Sequence, residues 1–202
     1  MSLVKYNQEI ILASTSKARK FLLDNAGIKY RAVAPNFDEE IFKSDNPELQ
    51  IKDLCLELAK GKAMNVTNID ENAVIIGSDQ ICELDGKKID KSKDSSDAFN
   101  QLKTLQGRTH YQNNAVVLMQ NGEVIHSHFT KVELSMQKLN DDQIAAYVAE
   151  DDPVGCAGSY KYEANGKFLF ERIDGDYFSI IGMNIQQIIS FLFKNNFIEF
   201  QI

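Results

Sequence analysis

The chain of 202 residues is 44% hydrophobic and 25% charged, which excludes wholesale disorder and suits one domain spanning residues 1–202. Lys and Arg number 22 against 29 Asp and Glu, and the resulting net charge of −7 argues against a nucleic-acid polymer as partner, because phosphate neutralisation needs surplus cations. Cys55, Cys82 and Cys156 are too few and too far apart for a disulfide framework or a zinc motif, so buried free thiols in a reducing cytosol are expected.

In chain order, Glu9–Ser14 predicts a short buried strand that breaks into the hydroxyl-rich Ser14-Thr15-Ser16. A helix with Phe21, Leu22, Leu23 and Ala26 follows and stops near Gly27. Ile28–Ala34 alternates like a second strand, and Pro35 opens an acidic loop holding Asp38, Glu39 and Glu40. Asn46 and Pro47 suit the cap and first turn of a helix running past Lys62 to about Val66. Ala73–Ile76 reads as a fully buried strand ending in Gly77-Ser78-Asp79, with Ile81–Leu84 extending it to the hairpin turn Asp85-Gly86. A helix from about Ser96 stops at Gly107, and strands at Ala115–Met119 and Glu123–Phe129 flank Asn121-Gly122. Asn140 with Gln143 resembles a capping box, short strands fill Gly158–Ile181, and Ile185–Phe193 closes the chain as a helix. Interleaved helices and strands with hairpins between them predict a mixed α/β (α+β) fold. No apolar run approaches the roughly 18 residues of a membrane span. Residues Met1–Tyr6, soon followed by Glu9, lack a signal-peptide core, so no membrane association and a cytoplasmic location are expected.

Several residue types point to chemistry. Lys17, Arg19 and Lys20 crowd a helix start, where the dipole favours anions. With the hydroxyls of Ser14 and Ser16 they read either as a phosphate cradle or as a solvated basic helix start. Asp79, at the end of an apolar strand, reads either as a catalytic or metal-holding carboxylate or as a turn residue. Glu39 and its acidic neighbours offer further oxygen ligands, or a solvated loop. Lys62 and Lys91 are candidate phosphate clamps that could equally be surface lysines. His126 and His128 share a strand face but lack a third ligand nearby.

As an ordered series, these pieces resemble the Maf family of nucleoside triphosphate pyrophosphatases. The resemblance rests on Leu12-Ala13-Ser14-Thr15-Ser16-Lys17-Ala18-Arg19-Lys20, Gly27-Ile28, Asp38-Glu39 and Ala59-Lys60-Gly61-Lys62-Ala63. It continues through Ile75-Ile76-Gly77-Ser78-Asp79-Gln80, Gly107-Arg108, Tyr147-Val148 and Cys156-Ala157-Gly158-Ser159-Tyr160, covering nearly the whole chain. Gly77-Ser78-Asp79-Gln80-Ile81-Cys82, Cys156–Glu163 and Leu169-Phe170-Glu171-Arg172 are similar to the branch acting on 7-methyl-GTP.

The resemblance implies a Maf/ITPase-like fold: a central mixed twisted sheet flanked by helices, in two lobes with a nucleotide cleft between them. It implies hydrolysis of the bond between the alpha and beta phosphates, most directly of 7-methyl-GTP. Alternatives are the same reaction on pyrimidine or other non-standard nucleotides, or a non-catalytic nucleotide-binding regulator of cell division. By the resemblance Asp79 is the proton acceptor, and Ser14, Arg19, Lys20, Lys62 and Lys91 bind the triphosphate. Ala18, Gln80 and Glu163 tune base choice, while Glu39 and Asp79 hold Mg2+ or Mn2+. The partner is a small nucleoside triphosphate, with a homodimer as a further expectation. Two positions depart from the family pattern: Asp90-Lys91-Ser92 replaces Gly-Lys-Pro, and Lys17 stands where proline is common.

Overall fold

The computed structural model describes residues 3–67 and 69–201. Two compact units divide the chain. The first holds residues up to Asp79, Asn114–Phe129 and the chain from Gly182 on; the second holds Gln80–Asn113 and Thr130–Ile181. Strand order is β3 (Arg31–Val33), β2 (Ile10–Ala13), β4 (Val74–Leu84), β6 (Thr109–Gln120), β7 (Glu123–Met136), β8 (Phe170–Asp174), with β5 (Lys87–Ile89) on β4, a mixed sheet flanked by helices, as the interleaved pattern predicts.

The first unit begins with β1 (Val4–Tyr6), β2 (Ile10–Ala13), α1 (Lys17–Asn25), β3 (Arg31–Val33), α2 (Glu39–Asp45) and α3 (Ile51–Met64). All four residues of β2 are buried, and the strand pairs in parallel with β3 and with β4 (Val74–Leu84). A strand covered on both faces must be apolar throughout, as Ile10-Ile11-Leu12-Ala13 is. Leu22 and Leu23 of α1 and Leu54, Cys55, Leu58, Ala59 and Ala63 of α3 line this unit's core.

The second unit contains β5 (Lys87–Ile89), α4 (Ser95–Leu105), α5 (Asp141–Asp151), β8 (Phe170–Asp174) and α6 (Tyr177–Ile181). The long strands β6 (Thr109–Gln120) and β7 (Glu123–Met136) contribute to both units. Leu102 and Leu105 of α4 and Ile144 and Tyr147 of α5 cluster with Val132, Leu134 and Met136 of β7. The expected capping box is present: Asn140 Oδ1 accepts from the Gln143 N–H and Gln143 Oε1 from the Asn140 N–H, both at 2.9 Å. The first unit closes with α7 (Ile185–Lys194) and β9 (Ile198–Phe200), the latter antiparallel to β1.

Four local expectations need correction. Strand β4 runs unbroken through Gly77-Ser78-Asp79 into the extension expected at Ile81–Leu84, so Asp79 sits within a strand and not at its end. Asp38, Glu39 and Glu40 are not an open loop. Asp38 caps α2 by accepting from the N–H groups of Glu40 and Ile41, and acidic residues suit that helix end. Asn46 ends α2 instead of opening α3, its amide donating to the Phe42 carbonyl at 2.8 Å, and α3 starts only at Ile51. Between Gly158 and Ile181 only β8 is extended, because a 3₁₀ turn (Asn165–Leu169) and α6 take the remaining regular residues. Among the described residues no helix is long and apolar enough to cross a membrane.

A buried imidazole links the second unit's stability to pH. His110 lies fully buried on β6, with Nε2 3.0 Å from the Tyr160 hydroxyl. Burial lowers its pKa from 6.5 to about 4. Between those values the unfolded chain binds the extra proton, so stability is highest above about 6.5 and falls as the solution is acidified towards about 4. By pH 5 this single group removes about 2 kcal/mol. Urea unfolding of wild type and His110→Phe at pH 7 and pH 5 checks it: the variant should lose less stability on acidification, and parallel losses would exclude His110 as the source.

Candidate active site

In the first unit, three ionisable side chains meet at one point. Lys62, on the last turn of α3, extends its ammonium to 2.6 Å from Asp79 Oδ1 and 3.0 Å from Glu39 Oε1. Lys62 and Asp79 are each only 4% exposed. Burial at this level demands charge compensation, and each carboxylate finds it on the same nitrogen. Gly77 allows the approach, since a Cβ there would stand 2.1 Å from the Ala59 carbonyl oxygen of α3. The Asp79 main-chain carbonyl accepts from Cys55 Sγ at 3.4 Å and Asn114 Nδ2 at 3.0 Å. Burial, followed by the Asp79 charge, pushes the Cys55 thiol well above its ordinary value, which keeps it a neutral donor.

The turn between β2 and α1 supplies hydroxyls and a guanidinium. Ser14 Oγ accepts from the Ser16 N–H at 3.1 Å and from Arg19 Nη1 at 3.4 Å, while Ser16 caps α1 by accepting from the Arg19 N–H. Arg19 Nε donates to the Gly182 carbonyl at 3.1 Å. Lys20 and Ala18 lie on the same short helix, both half-buried; the Lys20 carbonyl accepts from the Tyr30 hydroxyl. Lys43 of α2 feels Glu40 and Glu39 and also Asp79, which places another cation near the carboxylates.

The remaining candidates belong to the second unit. Gln80 donates its amide to the carbonyls of Ser179 and Ile180, at 3.0 and 2.7 Å, and so holds the start of the buried part of α6. Lys91 is exposed, and the next residue, Ser92, is buried; the Gly155 N–H donates to the Ser92 carbonyl at 3.1 Å and approaches its Oγ at 3.3 Å. A proline at 92 would lack that hydroxyl. Burial raises the Cys156 thiol, Lys161 and Lys91 oppose the rise, and Glu163 adds to it. Lys91 and Glu163 therefore lie in one electrostatic neighbourhood.

The residues from position 9 to 195 match the model of the Maf-like protein family. The chain belongs to the Maf family. This Maf protein is 37% identical to a nucleoside triphosphate pyrophosphatase of Hyphomonas neptunium over 187 residues, covering 91% of this chain and 94% of that one. It is 36% identical over 179 residues to a 7-methyl-GTP pyrophosphatase of Rhizobium etli, covering 87% and 90% of the two chains. A dTTP/UTP pyrophosphatase of Dictyoglomus turgidum is 35% identical over 186 residues, covering 92% and 95%.

Among the described residues no group of three or more His, Cys, Asp or Glu side chains could by itself hold a metal ion. Glu39 and Asp79 are two carboxylates directed at one point, a donor set that fits a hard divalent cation completed by phosphate and water oxygens. His126 and His128 offer no such set; His126 stacks on Phe191 with ring centroids 4.5 Å apart, which is a packing role. Sequence reasoning missed Asn114, Lys43 and Cys55. Only the helical spacing of Cys55 and Lys62, seven residues apart on one face of α3, carried a signal for any of them.

Proposed function

We propose that this Maf protein is a nucleoside triphosphate pyrophosphatase, splitting the bond between the alpha and beta phosphates to release a nucleoside monophosphate and pyrophosphate. The observation carrying this reading is the buried Lys62 held between Asp79 and Glu39, with the Ser14–Arg19 turn joined to Asp79 through Gly182 and Asn114. Support also comes from relatives named for this reaction across most of their length.

In the proposed reaction Arg19, Lys20 and Lys62 neutralise the triphosphate, with Lys91 as a further cation, and Ser14 donates its hydroxyl. Asp79 accepts a proton from water as the water oxygen bonds to the alpha phosphorus, the bond from that phosphorus to the alpha–beta bridging oxygen breaks, and pyrophosphate leaves with the electron pair. Glu39 and Asp79 would hold a magnesium or manganese ion, which supplies charge neutralisation at the phosphates. Lys62 is poised for this exchange, since its ammonium now occupies the point that both carboxylates face. Three free thiols suit a reducing cytosol.

The favoured substrate is 7-methyl-GTP, because a carboxylate at Glu163 accepts hydrogen bonds from guanine's amino edge and attracts the cationic methylated ring. A neutral pyrimidine offers neither. Ala18 and Gln80 are the other base-choice candidates, Ala18 by its small side chain and Gln80 by fixing the main chain of Ser179 and Ile180. Pyrophosphate release with magnesium or manganese, across GTP, 7-methyl-GTP, UTP, TTP, CTP and ITP, tests the reading. Preference for 7-methyl-GTP should fall about tenfold in Glu163→Gln, the worth of one charge-assisted hydrogen bond. Pyrimidine turnover instead would keep the reaction and overturn the base assignment. Absence of release from every nucleotide would remove the enzyme reading.

A further inference from the structure

One carbonyl in the first unit receives more donors than it can use well. The Gly182 oxygen accepts from Asn114 Nδ2 at 2.9 Å, Ser78 Oγ at 3.0 Å and Arg19 Nε at 3.1 Å. A carbonyl oxygen has two lone pairs, so two donors satisfy it and a third adds little. Two of the three cannot easily leave. Ser78 is fully buried within β4, and Asn114 is 1% exposed on β6. Asn114 Nδ2 also donates to the Asp79 carbonyl at 3.0 Å and approaches Ser78 Oγ at 3.5 Å, and its Oδ1 accepts from the Asn184 N–H at 3.2 Å. Arg19 alone is half-buried, on a long side chain whose other hydrogen bond is the 3.4 Å approach to Ser14.

We propose that the Gly182 carbonyl is a resting place for Arg19, and that Asn114 is the positioning residue that lets Arg19 leave it for a triphosphate. While Asn114 and Ser78 stay in place, Arg19 departs without stranding a buried acceptor, and Asn114 holds the Asp79 main chain throughout. Without Asn114 the carbonyl depends on Ser78 and Arg19, so moving Arg19 leaves it with one donor. This inference rests on the reading of Arg19 as a triphosphate ligand.

The test is a double-mutant cycle on binding of inorganic tripolyphosphate, followed by calorimetry with Asn114→Ala, Arg19→Ala and the pair. Asn114→Ala should weaken binding about fivefold when Arg19 is present and leave it unchanged when Arg19 is absent. A general structural role for Asn114 would weaken binding equally in both backgrounds, and that additivity would overturn the proposal. So would a wild-type protein that binds no tripolyphosphate. If Asn114→Ala does not melt cooperatively, Ser78→Ala carries the same cycle, because it removes the other fixed donor. A wild type that binds tripolyphosphate yet releases no pyrophosphate from any nucleotide would remove the proposed reaction and leave this arrangement standing.

Discussion

Asp79→Asn is expected to lower pyrophosphate release by about three orders of magnitude while leaving the melting temperature close to that of wild type. Both halves follow from the Lys62 geometry. Asparagine keeps an oxygen near the Lys62 ammonium, now 2.6 Å from Asp79 Oδ1, and Glu39 at 3.0 Å still compensates the buried charge. The main-chain contacts from Cys55 and Asn114 reach the carbonyl of residue 79, which the substitution does not touch. What disappears is a basic oxygen able to accept a proton from water, and one of two carboxylates facing the proposed cation. Steady-state release of pyrophosphate, with thermal melting in parallel, reads both effects. Wild-type turnover in a folded variant would take Asp79 out of the mechanism, whereas a large drop in melting temperature would make its role chiefly structural.

How far the sequence speaks for itself depends on the range of the interaction that sets each feature. Asn140 and Gln143 satisfy each other within one helical turn, and Asp85-Gly86 adopts positive φ angles of 51° and 76°, so both were legible from neighbouring residues alone. The Ser14–Lys20 segment, Lys62 and Asp79 stood out as an ordered series, and the structure brings Lys62, Asp79 and Glu39 onto one nitrogen. Distances across the chain were not legible. Gln112, Asn113 and Asn114 form a polar run ahead of the strand expected at Ala115–Met119, yet all three are buried in β6 because each finds a partner remote in sequence. Asn114 reaches Gly182, 68 residues away, and no local rule anticipates that pairing. The break expected at Gly77-Ser78-Asp79 fails for a related reason. Glycine and aspartate usually punctuate strands, but here a helix packed on β4 requires the one and a buried lysine the other.

That helix contact sets up the largest stability effect. Gly77→Ala should destabilise the protein by about 3 kcal/mol or more, because overpacking a filled interior forces backbone to move. The added Cβ would lie 2.1 Å from the Ala59 carbonyl oxygen, 2.9 Å from the Ala63 Cβ and 3.1 Å from the Ala59 carbonyl carbon. None of these is the end of a flexible side chain, so α3 itself must shift. Lys62 rides on the same turn of α3, and a displacement there lengthens its contacts to Asp79 and Glu39. Activity should therefore fall along with stability, even at temperatures where the variant remains folded. For a chain of this size each kcal/mol lowers the melting temperature by roughly 2–4 °C, so a loss near 10 °C is expected. Gly27→Ala separates crowding from backbone strain: its φ of +67° disfavours alanine, but an added Cβ meets nothing within 4 Å. That substitution should cost only about 1 kcal/mol and leave turnover intact. Equal losses from the two variants would show that conformational strain, rather than the contact between α3 and β4, makes Gly77 necessary.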